Sequence, residues 1–424
     1  MHPATDLLQP LEFRLNGVPA ETTPPDQAID MADMRLLTRF IMRTSRAMSL
    51  EARRSQAWEH IIPDMVLKKE YLMHLVLALA GEHFLYEAHL PGVINDSQSA
   101  LLPGGTHQTQ LEYHRMIQHH QKGLEGFRQA LSDISPATAE YVFCGAILIV
   151  ANAFASLSVR EHDLTNLGLS NGDDHQGPHI DWLHLVRGLT SVVGDHWYIL
   201  KLGRLRSFLF YTYGTDDWKQ AVPGMYPPRL HHAPRVYSVF AQGASQAISM
   251  LRSFATTLPT NNKTTTTTTT TPNQRSIHHP DDDHSSEIDE QYPYDHLNAL
   301  DKLEIIYMRI LYALQFSRSE RHCPLSLDIQ IDIEESAVTS WPQMVSSVFI
   351  AGLQPSEPPF TTAKTFSYII LAHFYTVSVL FKDIWYLNSG FRHEIKRICC
   401  LVNELESHEL GALMAWPMAV VAES

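Results

Sequence analysis

The sequence predicts an all-α fold: one large helical domain interrupted by a disordered, threonine-rich insertion. Three observations carry this prediction. Apolar residues recur every three to four positions through most of the chain, strand-like alternation is scarce, and the 424 residues are 44% hydrophobic. Helical spacing places apolar side chains on one face, and a chain of this size can bury a large core. A small disulfide-stapled scaffold is therefore excluded.

Bulk composition narrows the classes of function. The chain has 32 Lys and Arg against 46 Asp and Glu, a formal net charge of −14. This net negative charge repels the phosphate backbone of nucleic acids, so the composition does not indicate a nucleic-acid-binding protein. The few cysteines lack metal-binding spacing and are typical of inert thiols in a reducing compartment: Cys144, Cys323, Cys399 and Cys400. Residues 1–17 have neither a basic start nor a long apolar stretch, so secretion is not expected.

The first predicted element is an amphipathic helix that follows residues 1–30, which are assigned to a disordered N-terminal segment. Its predicted buried stripe has helical spacing: Met34, Leu37, Ile41, Thr44 and Met48. Its basic side carries Arg35, Arg39, Arg43 and Arg46. Together with Arg53 and Arg54, this side is interpreted as a solvated helix face. Contact with an acidic partner or with DNA is the alternative.

Three long helices are predicted next. Residues 71–86 are nearly all apolar but too short to span a bilayer, which predicts a core helix. Residues 108–131 have an apolar stripe, and close helix contacts must compensate for Gly123 and Gly126. Ser135 and Pro136 are predicted to be the N-cap and first residue of the following helix.

The stretch from Tyr141 to Val159 has nearly the composition and length of a membrane span. Its ends carry no aromatic belt and no excess of Lys and Arg, since Glu140 precedes it and Arg160 follows. Its small residues and Asn152 suit close helix contacts. We therefore predict a buried core helix, and an integral membrane protein remains the alternative.

The second half contains the insertion between further helices. Residues 264–271 are all threonine, and a His- and Asp-rich tract follows. Such a segment buries too little apolar area to offset its ordering entropy, so residues 259–292 are predicted to be disordered. They divide the helical domain into residues 31–258 and 293–424. Residues 297–314 predict an amphipathic helix and residues 365–387 a buried one. Strand-like alternation is confined to residues 327–333.

No motif predicts catalysis, a metal site or a cofactor. Residues 168–172 match G-x-S-x-G, but polar sequence on both sides replaces the strand and helix that a nucleophile elbow needs. His114, His119 and His120 lack the zinc-protease spacing, and Ala412 replaces the second ligand after His408 and Glu409. The tract at residues 278–284 is interpreted as solvated rather than metal-binding.

The order of several segments resembles the C-terminal regulatory domain of fungal zinc-cluster transcription factors, in particular the sterol uptake control branch. These segments are MRLLTRFIMRTSRAMS, Trp58, IIPDMVLKKEYLMHLVLALAGEHF, YHRMIQHHQKGLEGFRQAL, WLHLVRGLTSVV, Trp341-Pro342, residues 363–387, FRHEIKRI and Trp416-Pro417. The similarity covers roughly residues 31–255 and 293–420. Each motif is a degenerate apolar pattern, so their shared order carries the resemblance.

The resemblance implies an all-α, ligand-sensing and dimerisation domain of a nuclear regulator, not an enzyme. It implies control of sterol or secondary-metabolite genes, in the nucleus or shared with the cytoplasm. A homodimer or transcription-factor partner and a small lipophilic ligand are the expected partners. The family usually begins with six cysteines that bind two zinc ions and contact DNA. This sequence has no cysteine before Cys144, so direct DNA binding by this chain is not expected. Three explanations are open: the gene has lost the DNA-binding module, the chain is truncated, or the protein acts through a partner.

A lipophilic ligand would lie between apolar helices, against aromatic walls. Six residues on the most apolar helices are predicted to line the site: Phe143, Ile147, Phe374, Tyr375, Trp385 and Phe391. Plain core formation is the alternative role for these side chains. The alternative function is a helical enzyme that acts on a terpenoid-like substrate. That chemistry needs an aspartate-rich metal motif facing a cavity, whereas Asp281, Asp282 and Asp283 fall in the insertion.

Overall fold

The computed structural model describes residues 31–49, 52–88, 105–166, 177–209, 235–258, 295–316, 341–354, 360–380 and 384–424. Within these ranges the chain consists of helices and turns and contains no strand, which confirms the all-α prediction. Several predictions lie outside the described residues. They concern the N-terminal segment, the insertion, residues 327–333 and the motifs at residues 168–172 and 278–284.

The helices are numbered in chain order. They are α1 Met31–Arg39, α2 Ala52–Gln56, α3 Ile62–Val66, α4 Glu70–Ala88, α5 Gly105–Ser132, α6 Ala139–Asn166, α7 Asp181–Leu202, α8 Arg235–Thr257, α9 His296–Phe316, α10 Trp341–Met344, α11 Ser347–Gly352, α12 Thr362–Val379, α13 Trp385–Glu404 and α14 His408–Ala422. The wider turns Phe40–Thr44 and Ala57–Ile61 extend α1 and join α2 to α3, and the tighter turns are Ser45–Ala47 and Arg206–Phe208.

Helix α6 lies at the centre of the fold, where it packs against α4, α7 and α13. Among the described helices, α6 alone is long and apolar enough to cross a membrane, from Ala139 to Val159, and 89% of its most apolar stretch is buried within the protein. A core helix passes the same test of length and composition. The buried side-chain amide of Asn152 donates to the carbonyls of Leu75 and Leu148, at 3.2 and 2.7 Å. Because its amide hydrogens have partners inside the protein, Asn152 fits the predicted core helix.

Helices α4 and α5 approach closely, as the glycines of α5 predict. A Cβ atom at Gly123 would lie 2.7 Å from Cδ2 of Leu75, and one at Gly126 would lie 2.6 Å from Cβ of Tyr71. Both distances are too short for real contacts. The two glycines therefore create the interface that compensates for their poor helix propensity.

Buried apolar side chains form two large clusters that share α6. The first is formed by α1, α3, α4, α6 and the C-terminal part of α7, together with Trp385 of α13, and the second is formed by the C-terminal half of α6 and helices α7 to α14. Leu185 and Tyr386 pack against both clusters. The second cluster thus contains helices that precede residue 259 and helices that follow residue 292.

Three local predictions differ from the structure. Met34 and Ile41 are 47% and 42% exposed, because Leu36 and Phe40 are buried in their place, whereas Thr44 and Met48 are buried as predicted. Helix α6 begins at Ala139, after a turn that contains Pro136. The predicted helix at residues 365–387 is in fact two, since α12 ends at Val379 and α13 begins at Trp385. The sequence is apolar on both sides of this break, so periodicity alone does not reveal it.

Candidate ligand-binding site

The six residues predicted to line a ligand site are all buried, but they divide between the two clusters. Phe143, Ile147 and Trp385 belong to the first cluster. Phe374, Tyr375 and Phe391 belong to the second. The structure therefore does not gather all six at one site; among them, the rings of Tyr375 and Phe391 contact one another, with centroids 5.0 Å apart.

An aromatic cluster surrounds Trp182, which lies in the first turn of α7. Its ring centroid lies 5.9 Å from that of Tyr375 on α12 and 5.3 Å from that of Phe391 on α13. Trp341, at the start of α10, lies 5.5 Å from Trp182 and stacks on Phe374 at 4.2 Å. Edge-to-face and stacked contacts of this kind add to the stabilisation from burial. We call these five side chains the Trp182 cluster.

Two hydrogen bonds anchor the first turn of α12, the helix that carries Phe374 and Tyr375. The Thr361 hydroxyl accepts a hydrogen bond from the backbone N–H of Lys364, which caps the helix. The Lys364 ammonium group donates to the carbonyl of Gly352 at 2.6 Å and thereby ties α12 to the end of α11. Burial lowers the pKa of Lys364 to about 8. All residues from Lys364 to Val379 are buried, so this helix presents aromatic rings to neighbours on every side.

A polar edge adjoins the Trp182 cluster. The hydroxyl of Tyr375 accepts a hydrogen bond from Nε1 of Trp182 at 3.4 Å and donates to the carbonyl of His179 at 3.2 Å. Burial raises the pKa of Tyr375, so the hydroxyl stays protonated near neutral pH. This bridge fixes the segment before α7 against α12.

His179 is held by a buried carboxylate on α13. Glu394 accepts hydrogen bonds from the backbone N–H of His179 at 2.9 Å and from its ring Nδ1 at 2.8 Å. Nη1 of Arg397 also lies 3.0 Å from that nitrogen. Burial by itself would raise the pKa of Glu394, but the hydrogen bonds from His179 and the charges of His179 and Arg397 hold it below its usual value.

This arrangement orients the His179 ring at the surface. Nδ1 of the ring faces Glu394 and Arg397, which leaves Nε2 as the other polar atom of the ring. The His179 side chain is 33% exposed, whereas that of Glu394 is 7% exposed. The site thus places an oriented imidazole ring and the Arg397 cation beside an aromatic core.

In the first cluster, Trp385 lies beside aromatic side chains of helix α4. Its ring lies 4.7 Å from His83 and 5.4 Å from Tyr86, both on α4. His83 contacts the Thr44 hydroxyl at 3.0 Å, and burial lowers its pKa to about 4. The indole N–H groups of Trp385 and Trp341 are buried and have no hydrogen-bond partner among the described residues. Each could therefore donate to an oxygen atom of a bound molecule.

Other chemistry-bearing residues are dispersed over the described ranges. These ranges contain no group of three or more His, Cys, Asp and Glu side chains that could hold a metal ion. His119 is buried between Asp33, at 3.1 Å, and His74, at 2.9 Å, whereas His114 contacts the carbonyl of Gln110 on its own helix. Burial raises the pKa of the Cys144 thiol, which keeps it protonated.

Sequence reasoning did not assign Trp182, Trp341, His179 or Glu394 to the site. His179 and Glu394 are 215 residues apart, and neither stands in a motif that predicts the contact. Both tryptophans begin short apolar segments, which is a pattern typical of any core helix. No family model, no curated protein and no solved structure matches the chain.

Proposed function

We propose that the chain is a non-enzymatic helical regulator of transcription, of the type found in fungal zinc-cluster factors, that acts in the nucleus. It works as a homodimer or with a transcription-factor partner, and a small lipophilic molecule tunes it. Control of sterol or secondary-metabolite genes is the role that the resemblance in sequence order implies.

The convergence of distant segments supports this proposal. Four of the segments that carry the resemblance each supply aromatic side chains to the Trp182 cluster: Trp182, Trp341, Phe374 with Tyr375, and Phe391. The same cluster contains half of the residues predicted to line a ligand site.

The chemistry of the Trp182 cluster favours a flat apolar ligand with an oxygen atom. Aromatic rings offer broad apolar faces, and the Trp341 N–H is a buried donor without a partner among the described residues. A ligand would separate rings that now contact one another. Binding should therefore change the fluorescence of Trp182 and Trp341.

Ligand binding is tested by titrating the purified protein with a fluorescent sterol and recording energy transfer from tryptophan. We expect saturable binding that the substitution Trp341→Phe weakens about tenfold, because it retains the ring and removes one hydrogen-bond donor to the ligand. Trp58→Phe is the matched control, since Trp58 is a buried tryptophan of the other cluster that packs against Phe208 and is not among the residues predicted to line a ligand site. Equal loss in both variants, or no saturable binding, would contradict the ligand assignment.

The regulatory role is tested separately. The chain is fused to a heterologous DNA-binding domain and expressed in fungal cells that carry a matching reporter gene. We expect nuclear accumulation and a change in reporter transcription that depends on added sterol. A fusion that reaches the promoter but leaves transcription unchanged would contradict the proposal.

A further inference from the structure

The outward face of the first helical segment, residues 31–47, is strongly apolar. Four large side chains are exposed there: Met31 by 78%, Met34 by 47%, Ile41 by 42% and Met42 by 57%. The opposite face is anchored by Phe40, which is fully buried, and by Leu36. We call the exposed side the Met/Arg face.

The same face carries positive charge. Arg35 is exposed, and the side chains of Arg43 and Arg46 are 64% and 62% exposed although each also contacts a glutamate of a neighbouring helix. Asp33 is the one acidic residue in this stretch, and it is buried against Arg115 and His119. The segment therefore contributes no exposed carboxylate of its own, and Arg43 and Arg46 stay mostly exposed although Glu87 and Glu59 partly offset their charge.

We propose that the Met/Arg face docks an acidic amphipathic helix of a partner protein. Methionine is unbranched and adapts to varied apolar surfaces, and Met and Arg are both enriched at protein interfaces. The partner's apolar stripe would cover the methionines, while Asp and Glu at its flanks would meet the guanidinium groups. This inference does not depend on the ligand or on the transcriptional role proposed above.

Charge distinguishes this partner from a membrane or a nucleic acid. The whole chain has a net charge of −14, which repels an extended phosphate polymer or an anionic bilayer. A short partner helix interacts mainly with the charges close to the Met/Arg face, because salt screens charges beyond about 8 Å under physiological conditions. A second copy of this face would place arginine against arginine.

The test uses the full chain and a labelled designed peptide of roughly 18 residues, with leucine at helical spacing and glutamate at the flanks. Fluorescence anisotropy measures its binding, and a scrambled peptide of equal composition is the reference. One variant reverses Arg35, Arg43 and Arg46 to Glu. The matched control reverses three exposed cations elsewhere, Lys201, Arg206 and Lys396, and makes the same change in net charge.

We expect the amphipathic peptide to bind and the scrambled one not to. Reversal of the face should weaken binding at least ~10-fold, whereas the control should change it less than about twofold. A second variant with Met31, Met34 and Met42 changed to Ser should also lose binding, and circular dichroism checks that each variant folds. Equal weakening by the control, no peptide binding, or face-dependent binding to phosphatidylserine vesicles or duplex DNA instead would overturn the proposal.

Discussion

Tyr375 joins three elements through one hydroxyl group. It accepts from the Trp182 indole on α7 and donates to the carbonyl of His179, and its own ring lies on α12. Because burial excludes water, each of these groups depends on the others for a partner. A single atom therefore links the aromatic cluster to its polar edge.

The substitution Tyr375→Phe should destabilise the fold. It leaves the Trp182 N–H and the His179 carbonyl without this partner, at a cost of about 1–3 kcal/mol. Urea denaturation measures the change in the free energy of unfolding. Tyr198→Phe on α7 is the control, since that side chain is 84% exposed and should tolerate the change. Similar losses in both variants would argue against the bridge.

At the scale of elements, the α4–α5 interface depends on the absence of side chains. Gly126 lets α5 approach Tyr71 to a distance at which no Cβ atom fits, whereas nothing lies within 4 Å of a Cβ atom built at Gly188 on α7. Glycine thus has opposite effects on stability in the two helices. On α5 it creates a contact, and on α7 it only weakens the helix.

The substitutions Gly126→Ala and Gly188→Ala should therefore have effects of opposite sign. The first forces α4 and α5 apart and should cost about 1–3 kcal/mol. The second should stabilise by up to about 1 kcal/mol, because alanine is the better helix former and space is open. Thermal unfolding of the two variants provides the comparison. A stable Gly126→Ala protein would mean that the interface is looser than described.

At the scale of the whole molecule, buried histidines connect stability to pH. Burial lowers the pKa of His83, His296 and His373 to about 4. Their usual value is about 6.5, so below that pH the unfolded chain binds protons that the folded chain does not. Stability should accordingly fall as pH decreases from about 6.5 to 4. Each histidine contributes up to about 3 kcal/mol to this loss.

Chemical denaturation at a series of pH values checks this expectation. The decline should begin above pH 5, where carboxylates such as Glu394, whose pKa is lowered, do not yet contribute. Replacing His373 by Gln should flatten the slope between pH 6.5 and 4.5, whatever its effect at neutral pH. An unchanged slope in that variant, or a flat profile in the natural protein, would contradict the assignment.

The fold class and most helices can be predicted from the sequence, because helical spacing of apolar residues is a local property. Residues 71–86, 108–131 and 297–314 each fall within an observed helix, and Gly123 and Gly126 indicated a close contact before its partner was known. The buried face of α1, in contrast, depends on contacts with distant parts of the chain. Met34 and Leu36 are both apolar, but Leu36 is buried in the first cluster, where α1 packs against α4.

The same reason separates the two parts of the candidate site. Phe374, Tyr375 and Phe391 were predicted because each lies on a helix that is apolar along its own sequence. From the sequence alone, Glu394 would be expected to be an exposed acidic residue of α13. In the structure its side chain is buried and accepts hydrogen bonds from His179. Hydrogen bonds between residues far apart in the chain produce no periodic pattern in the sequence. The contacts of the polar edge can therefore be identified only from the three-dimensional structure.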